Sequence, residues 1–295
     1  MVHEPNRDKL LLGGLVMLLF LGKGGLAGDL LPGDKTFDTT DSPHIRIVNE
    51  IGNVVVKGWD RPQVHVVCTG STPLLQLDAH QLPLSGRAEK VHLTIERSPG
   101  QLNVKPQAAD LTVEMPFDGS VEIENVQGSV LVKGVRGSVS IETVGGSVTI
   151  IETAEHSSVR SIGGDILAIR TSGPVEATSI NGKLHFIYPT SHHIKGNTTS
   201  GDIVYEGDLA PGADYRLSSY SGNIEFLCPR TASFDLRAKS VRGKVIVDPR
   251  FILKRKGHPS APTDEGNSFS AIHNTGSAAL DLGSFSGTIH IQSQN

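Results

Sequence analysis

The chain has 295 residues, with 33 Gly and 16 Pro, 37% hydrophobic and 5% aromatic residues, and a formal net charge of -4. Recurrent Val, Ile and Leu at so low a net charge exclude a disordered chain, and Gly without a strict three-residue period excludes a collagen. Only one segment is strongly apolar, so the chain is not a polytopic membrane protein, and its mild acidity gives no reason to expect a nucleic-acid partner.

That segment comes first. Met1 to Lys9 is polar, and Leu10 to Leu21 is almost purely apolar, ending at Lys23. In a helix, twelve residues reach about 18 Å, too short for a bilayer core of about 30 Å. The length suits the apolar region of a signal peptide, with Gly25-Leu26-Ala27 as the cleavage signal. Residues 1–27 are therefore expected to be a signal peptide, with an uncleaved anchor as the alternative. Contact with a membrane is expected only through this segment, if it stays attached. Residues 28–36 read as a short linker.

The next third contains strand-like runs: Ile45-Arg46-Ile47, Val54-Val55-Val56, Val64 to Val67, Val91 to Ile95 and Leu111 to Met115. Leu74 to Glu89 reads as an exposed loop. Residues 37–118 are expected to cap the remainder of the chain, where a first coil would otherwise present unpaired edge groups.

From residue 119 the sequence repeats itself. Gly119-Ser120-Val121, Gly128-Ser129-Val130, Gly137-Ser138-Val139 and Gly146-Ser147-Val148 start successive nine-residue units. After a degenerate unit at Glu155 the phase resumes at Gly164, Gly173 and Gly182. A second apolar slot, seven residues after the Gly, holds Val126, Val135, Val144, Ile162 and Ile180. Beyond Thr190 the period lengthens, with starts at Gly201, Gly222, Gly243 and Gly287 and a companion strand before each of the last three. The period-2 alternation within a unit describes a strand with one buried face. The Gly is expected at a corner, where a positive φ would be costly for any other residue.

Such a unit cannot bury its own apolar face, but stacked units can. The expected fold is all-β: a β-solenoid, parallel β-helix-like, built from repeats of about 9 and 18–21 residues over residues 119–295. A β-sandwich of short strands is the competitor. The polar stretch 250–274, with Pro259 and Pro262, reads as an inserted loop. Cys68 and Cys228 read as small buried hydrophobes rather than a disulfide.

Three stretches resemble the bacterial putative-adhesin family, exported β-strand-repeat proteins of unknown function. They are Asn49 to Asp60, Val113-Glu114-Met115-Pro116 leading into the Gly-Ser-Val series, and Ser284 to Ile291. The resemblance covers roughly residues 37 to 295. It implies export and a solenoid-like fold, and it supplies no catalytic residues.

Candidate chemistry is sparse. Asp165 and Asp202 each follow a corner Gly, where carboxylates could bind calcium or act as acid and base. The equivalent corners hold Ser, Pro, Lys, Asn and Thr, so turn residues are the better reading. Adjacent residues on a strand face opposite ways, so His192-His193 does not make a metal pair. Lys254-Arg255-Lys256 could touch anionic polymers, or could be a solvated loop. Trp59, the only Trp, could stack on a sugar, or could belong to the cap. No catalytic, cofactor-binding or metal residues are assigned, and no cofactor is expected. The function expected is a non-catalytic envelope or surface protein, in periplasm or at the cell surface, that binds or scaffolds an envelope or extracellular protein or polysaccharide. The alternative is a polysaccharide lyase or hydrolase on the same scaffold.

Overall fold

The computed structural model describes residues 34–70, 75–97, 108–256 and 267–294. The expected signal peptide lies outside the described residues, as does most of the expected linker. Among the described residues there is no helix. The chain is all-β, and its strands form a long, unclosed, mostly parallel array.

The strands fall into two rows. One row contains β7 (Ser120–Gln127), β9 (Val139–Gly145), β11 (Ser157–Ser161), β13 (Val175–Ser179), β15 (His193–Thr198) and β17 (Asp214–Ser219), each parallel to the next. The other contains β8 (Val130–Lys133), β10 (Val148–Ile151), β12 (Ile166–Ile169), β14 (Leu184–Ile187), β16 (Ile203–Glu206) and β18 (Ile224–Pro229), also parallel. Consecutive strands alternate between the rows. Strands two nine-residue units apart are therefore neighbours: Val148 lies beside Val130 and Ile166, 18 residues away on either side.

Alternation along each strand sends one set of side chains inward. Val121, Ile123, Val139 and Ile141 from one row, and Val130, Val132, Val148 and Ile150 from the other, are buried in a common core. Burying a β-branched aliphatic of this size contributes about 1.5–3 kcal/mol. Farther along, the core fills with rings. Tyr205 stacks on Phe226 at 4.3 Å and tilts against Tyr215 at 5.3 Å. Phe186 fits because Gly196 opposite has no side chain; a Cβ there would lie 3.1 Å from the ring.

Both ends are interleaved rather than stacked in chain order. β1 (Asp34–Ile51) lies between β7 and β5 (Ala88–Arg97), and β2 (Val54–Trp59) lies between β8 and β6 (Asp110–Pro116). At the other end β23 (Ala278–Ser284) lies between β17 and β19 (Phe234–Ser240). β24 (Ile289–Gln294) likewise lies between β18 and β20 (Val245–Val247). The first and last coils in sequence are thus each one coil in from the end.

Antiparallel strands cover three of the four outermost edges, β20 pairing only with β24 among the described residues, and they correct three expectations. β4 (Leu75–Leu82) pairs antiparallel with β5, so the stretch read as a loop over 74–89 is largely strand. β3 (Gln63–Thr69) pairs antiparallel with β6 and with the start of β1. That start, at Asp34, falls within the stretch read as linker. In the expected loop 250–274, β21 (Leu253–Arg255) and β22 (Ser268–His273) form an antiparallel cover on β19. Buried Phe251 and His273 anchor it: the His273 ring contacts Phe234 and Phe251 and bonds the carbonyls of Arg230 and Ile252. A polar composition hid this cover, because only these few inward residues carry the packing.

Candidate functional site

The corner that leads from the first row to the second is built the same way in coil after coil. The strand ends in a buried hydroxyl: Ser161, Ser179, Thr198, Ser219, Ser240 or Ser284. Each accepts a hydrogen bond from the N–H of the Gly three residues later, at 2.8–3.1 Å. From Ser179 onward each also donates to a Gly carbonyl of the neighbouring coil. These contacts satisfy backbone groups that the turn removes from water. Asn49 and Asn125 end the equivalent strands at the start of the array, and their side-chain amides donate to Gly52 and Gly128.

The glycines of this corner form one column: Gly128, Gly146, Gly164, Gly182, Gly201, Gly222, Gly287 and Gly243. Only Gly128 and Gly146 among them have positive φ. The expected conformational reason therefore does not hold for the other six. They are needed for a different one: a Cβ on Gly182 would sit 1.9 Å from the carbonyl oxygen of Gly164 in the coil before. Gly119, Gly137 and Gly173 belong to the opposite corner, where the same crowding recurs; a Cβ on Gly137 would sit 2.4 Å from the Gly119 oxygen.

Asp165 and Asp202 follow glycines of the first column. Each carboxylate accepts the backbone N–H of the residue in register one coil on, Lys183 or Asn223, at 2.7 Å. Asn53 and Asn223 do the same for Ser129 and Thr288. The acids are therefore turn residues that link coils. Ser129 and Ser147 lie on this corner and Ser138 on the other, so the exposed serines of the repeat form two edges rather than one array.

The outer side of the corner is apolar. The second apolar slot splits between the corners: Val135 is buried, whereas Val126, Val144, Ile162 and Ile180 are 50%, 49%, 47% and 46% exposed. The column continues through Thr199, Tyr220, Phe285 and Val241, as the backbone bonds between neighbouring coils show. Tyr220 and Phe285 stack at 4.7 Å with planes 5° apart, and the Arg242 guanidinium lies 4.9 Å from the Phe285 centroid. Beside the aliphatic part runs a shallow groove of about 470 Å³, reaching from Val48 to Thr178. Its rim carries Glu50, Glu124, Glu142 and Arg160, with Arg160 bonded to Glu142 at 2.9 Å. The sequence carried a signal for this: the intervening corner holds Thr153 and Thr171, both buried, where this one holds exposed Val and Ile.

The other candidates are dispersed. His193 lies 3.9 Å from Asp214, while His192 is exposed. Lys256 pairs with Asp235, holding β21 in place. The Trp59 indole donates to the Gln63 carbonyl, with Arg61 over its ring. Cys68 and Cys228 are free and buried, and burial pushes both thiols up, Cys228 to about 12. Among the described residues, no three His, Cys, Asp or Glu side chains are grouped to hold a metal ion.

No family model and no curated protein matches the chain. Among solved structures, a putative cell adhesion protein from Clostridium sporogenes aligns over 88% of this chain and 100% of its own, at 10% identity and a TM-score of 0.28. A putative adhesin from Bacteroides fragilis aligns over 88% of this chain and 96% of its own, at 13% identity and a TM-score of 0.43.

Proposed function

We propose that the chain is an exported, non-catalytic envelope or surface protein with a β-solenoid fold of the putative-adhesin type, and that it binds or scaffolds an extended partner along the apolar corner. Cleavage after residue 27 releases it to the periplasm or cell surface, the segment up to residue 118 caps the array, and the remainder forms the coils. One observation carries this reading. Apolar side chains recur at the same outer corner position in successive coils, exposed at Val126, Val144, Ile162, Ile180, Tyr220 and Val241, half-buried at Phe285 and interrupted at Thr199. Monomeric proteins rarely leave so continuous an apolar strip uncovered without a use for it. The strip is shallow and open, which suits a polymer or an extended protein segment better than a small molecule in a concave pocket. The carboxylates best placed to act as acid or base, Asp165 and Asp202, are engaged with backbone N–H groups.

The test is retention of a panel of envelope glycans and envelope protein fractions by the purified protein. Val144→Asp combined with Ile162→Asp should weaken retention about tenfold or more while leaving the melting temperature close to native, because both side chains point outward. Retention unchanged by these substitutions removes the corner from the function. Turnover of a polysaccharide, abolished by Asp165→Asn or Asp202→Asn, replaces this reading with the lyase or hydrolase alternative. N-terminal sequencing of the envelope-fraction protein checks the export step.

A further inference from the structure

The two rows of strands have unlike outer faces in the same coils. Outward positions of the first row are polar: Glu122, Ser140, Ser158 and Glu176 stand in register across β7 to β13. Outward positions of the second row are more often apolar. Leu131, Ile151, Leu167, Ile169, Ile187 and Leu227 are half-buried there and Val204 is buried, with Lys133, Thr149, His185, Glu206 and Glu225 between them. This face is separate from the apolar corner.

Charge is distributed unevenly along the face. At one end Lys57 and Lys133 are register partners on β2 and β8. At the other, Glu206 on β16 and Glu225 on β18 are diagonal neighbours. Like charges side by side weaken a sheet. On the acidic end His185 bonds Glu206 at 2.9 Å. On the basic end the flanking Glu152 is itself held by Arg170 at 2.7 Å.

We propose that this face is a self-complementary interface, on which a second copy of the chain packs about a two-fold axis running along β12. The axis reverses the order of the coils and keeps each column of residues opposite itself. β8 of one copy then crosses β16 of the other, and β10 crosses β14. Lys133 meets Glu206, Leu131 meets Val204, Ile151 meets Ile187, and Leu167 and Ile169 each meet their own copies. The Lys133–Glu206 contact forms twice per dimer around a largely aliphatic centre in which Thr149 meets His185, while Lys57 and Glu225 fall opposite Leu227 and Val55. Face-to-face sheets pack about 10 Å apart with interdigitated side chains, and a two-fold axis of this kind closes the assembly at two copies.

The apolar strip from β8 to β18 is about 24 Å by about 13 Å. That is small beside the roughly 800 Å² per partner of a standard interface, so the dimer is expected to be weak and to dissociate on dilution. Sedimentation velocity of the purified chain over a micromolar concentration series should show a monomer–dimer equilibrium. Ile169→Arg should weaken it about tenfold or more. Lys133→Glu and Glu206→Lys should each do the same, since each creates like-charge contacts, while the two together should restore it. Val144→Asp, on the corner, should leave the equilibrium unchanged. A chain that stays monomeric across the series, or a dimer indifferent to Ile169→Arg and not restored by the double charge swap, overturns the proposal.

Discussion

Replacing Gly182 with Ala places a methyl group 1.9 Å from the Gly164 carbonyl oxygen and 2.5 Å from its carbon. That oxygen cannot retreat easily, because it accepts a bond from the Ser179 hydroxyl, which in turn accepts the Gly182 N–H. A normal contact requires the two coils to part locally by more than 1 Å out of a spacing of about 4.8 Å. The Ser179 bond to the Gly164 carbonyl then stretches, and so does the neighbouring backbone bond from the Asn181 N–H to the Ile162 carbonyl. Buried bonds of this kind are worth about 1 kcal/mol each, and forced overpacking costs about 1–3 kcal/mol. The expected loss is about 3–5 kcal/mol, which at about 2–4 °C per kcal/mol lowers the melting temperature by about 6–20 °C. Two other glycines separate the causes. Gly163 has negative φ and its nearest atom is 3.5 Å away, so Gly163→Ala should melt like the native protein. Gly212 has φ of +77° and nothing within 4 Å, so Gly212→Ala should cost only the backbone strain, about 1 kcal/mol. Thermal unfolding followed by circular dichroism ranks the three. If Gly182→Ala melts no lower than Gly212→Ala, crowding between coils is not what selects glycine here.

Titrating groups give two more expected outcomes. Asp248 accepts bonds from the Arg250 side chain, the Arg250 N–H and the Ser293 N–H, and these hold its carboxyl well below the usual range. A depressed folded pKa stabilises above the ordinary Asp value of about 3.9 and is lost as pH falls through the folded value. Asp248→Asn should therefore lower the melting temperature at neutral pH, with the difference shrinking below about pH 4; a difference constant with pH refutes the ionic contribution. Burial of Cys68 and Cys228, with the Cys228 thiol pushed up to about 12, should leave both unreactive towards thiol reagents at pH 8 until the protein is unfolded; rapid labelling of the native protein would show that these positions open.

Much of the strand-and-turn pattern was legible in the sequence because one side chain sets one backbone geometry. Gly119, Gly128, Gly137 and Gly146 mark every turn, and the Val and Ile between them mark the buried face. What the nine-residue phase concealed is that consecutive units occupy opposite corners. Val126 and Val135 read alike, yet the first faces solvent and the second the core, because one corner turns its middle residue outward and the other inward. Pairing between distant strands was not legible at all. The spacing from Gly222 to Gly243 repeats that from Gly201 to Gly222, so the sequence suggests neighbouring coils, whereas Gly287 lies between them. Nothing local encodes that insertion, since β19 and β23 offer similar strands to β17. The apolar corner was half-visible: its residues were in hand as a repeat slot, but their exposure depended on which corner each unit forms.

Interleaving at the ends bears on how the molecule comes together and how it resists force. During synthesis β19 and β20 emerge while the slot beside β17 and β18 is still open, and their 21-residue spacing fits them to dock there. β23 and β24, made later than β19 and β20, must then take that place, and so decide the order of the coils. Once they are in, β24 is hydrogen-bonded to β18 on one side and β20 on the other. A pull on β24 cannot peel off an outer layer. It has to shear one strand from between two others, loading both ladders at the same time, and β1 meets a pull from the opposite end in the same way between β5 and β7.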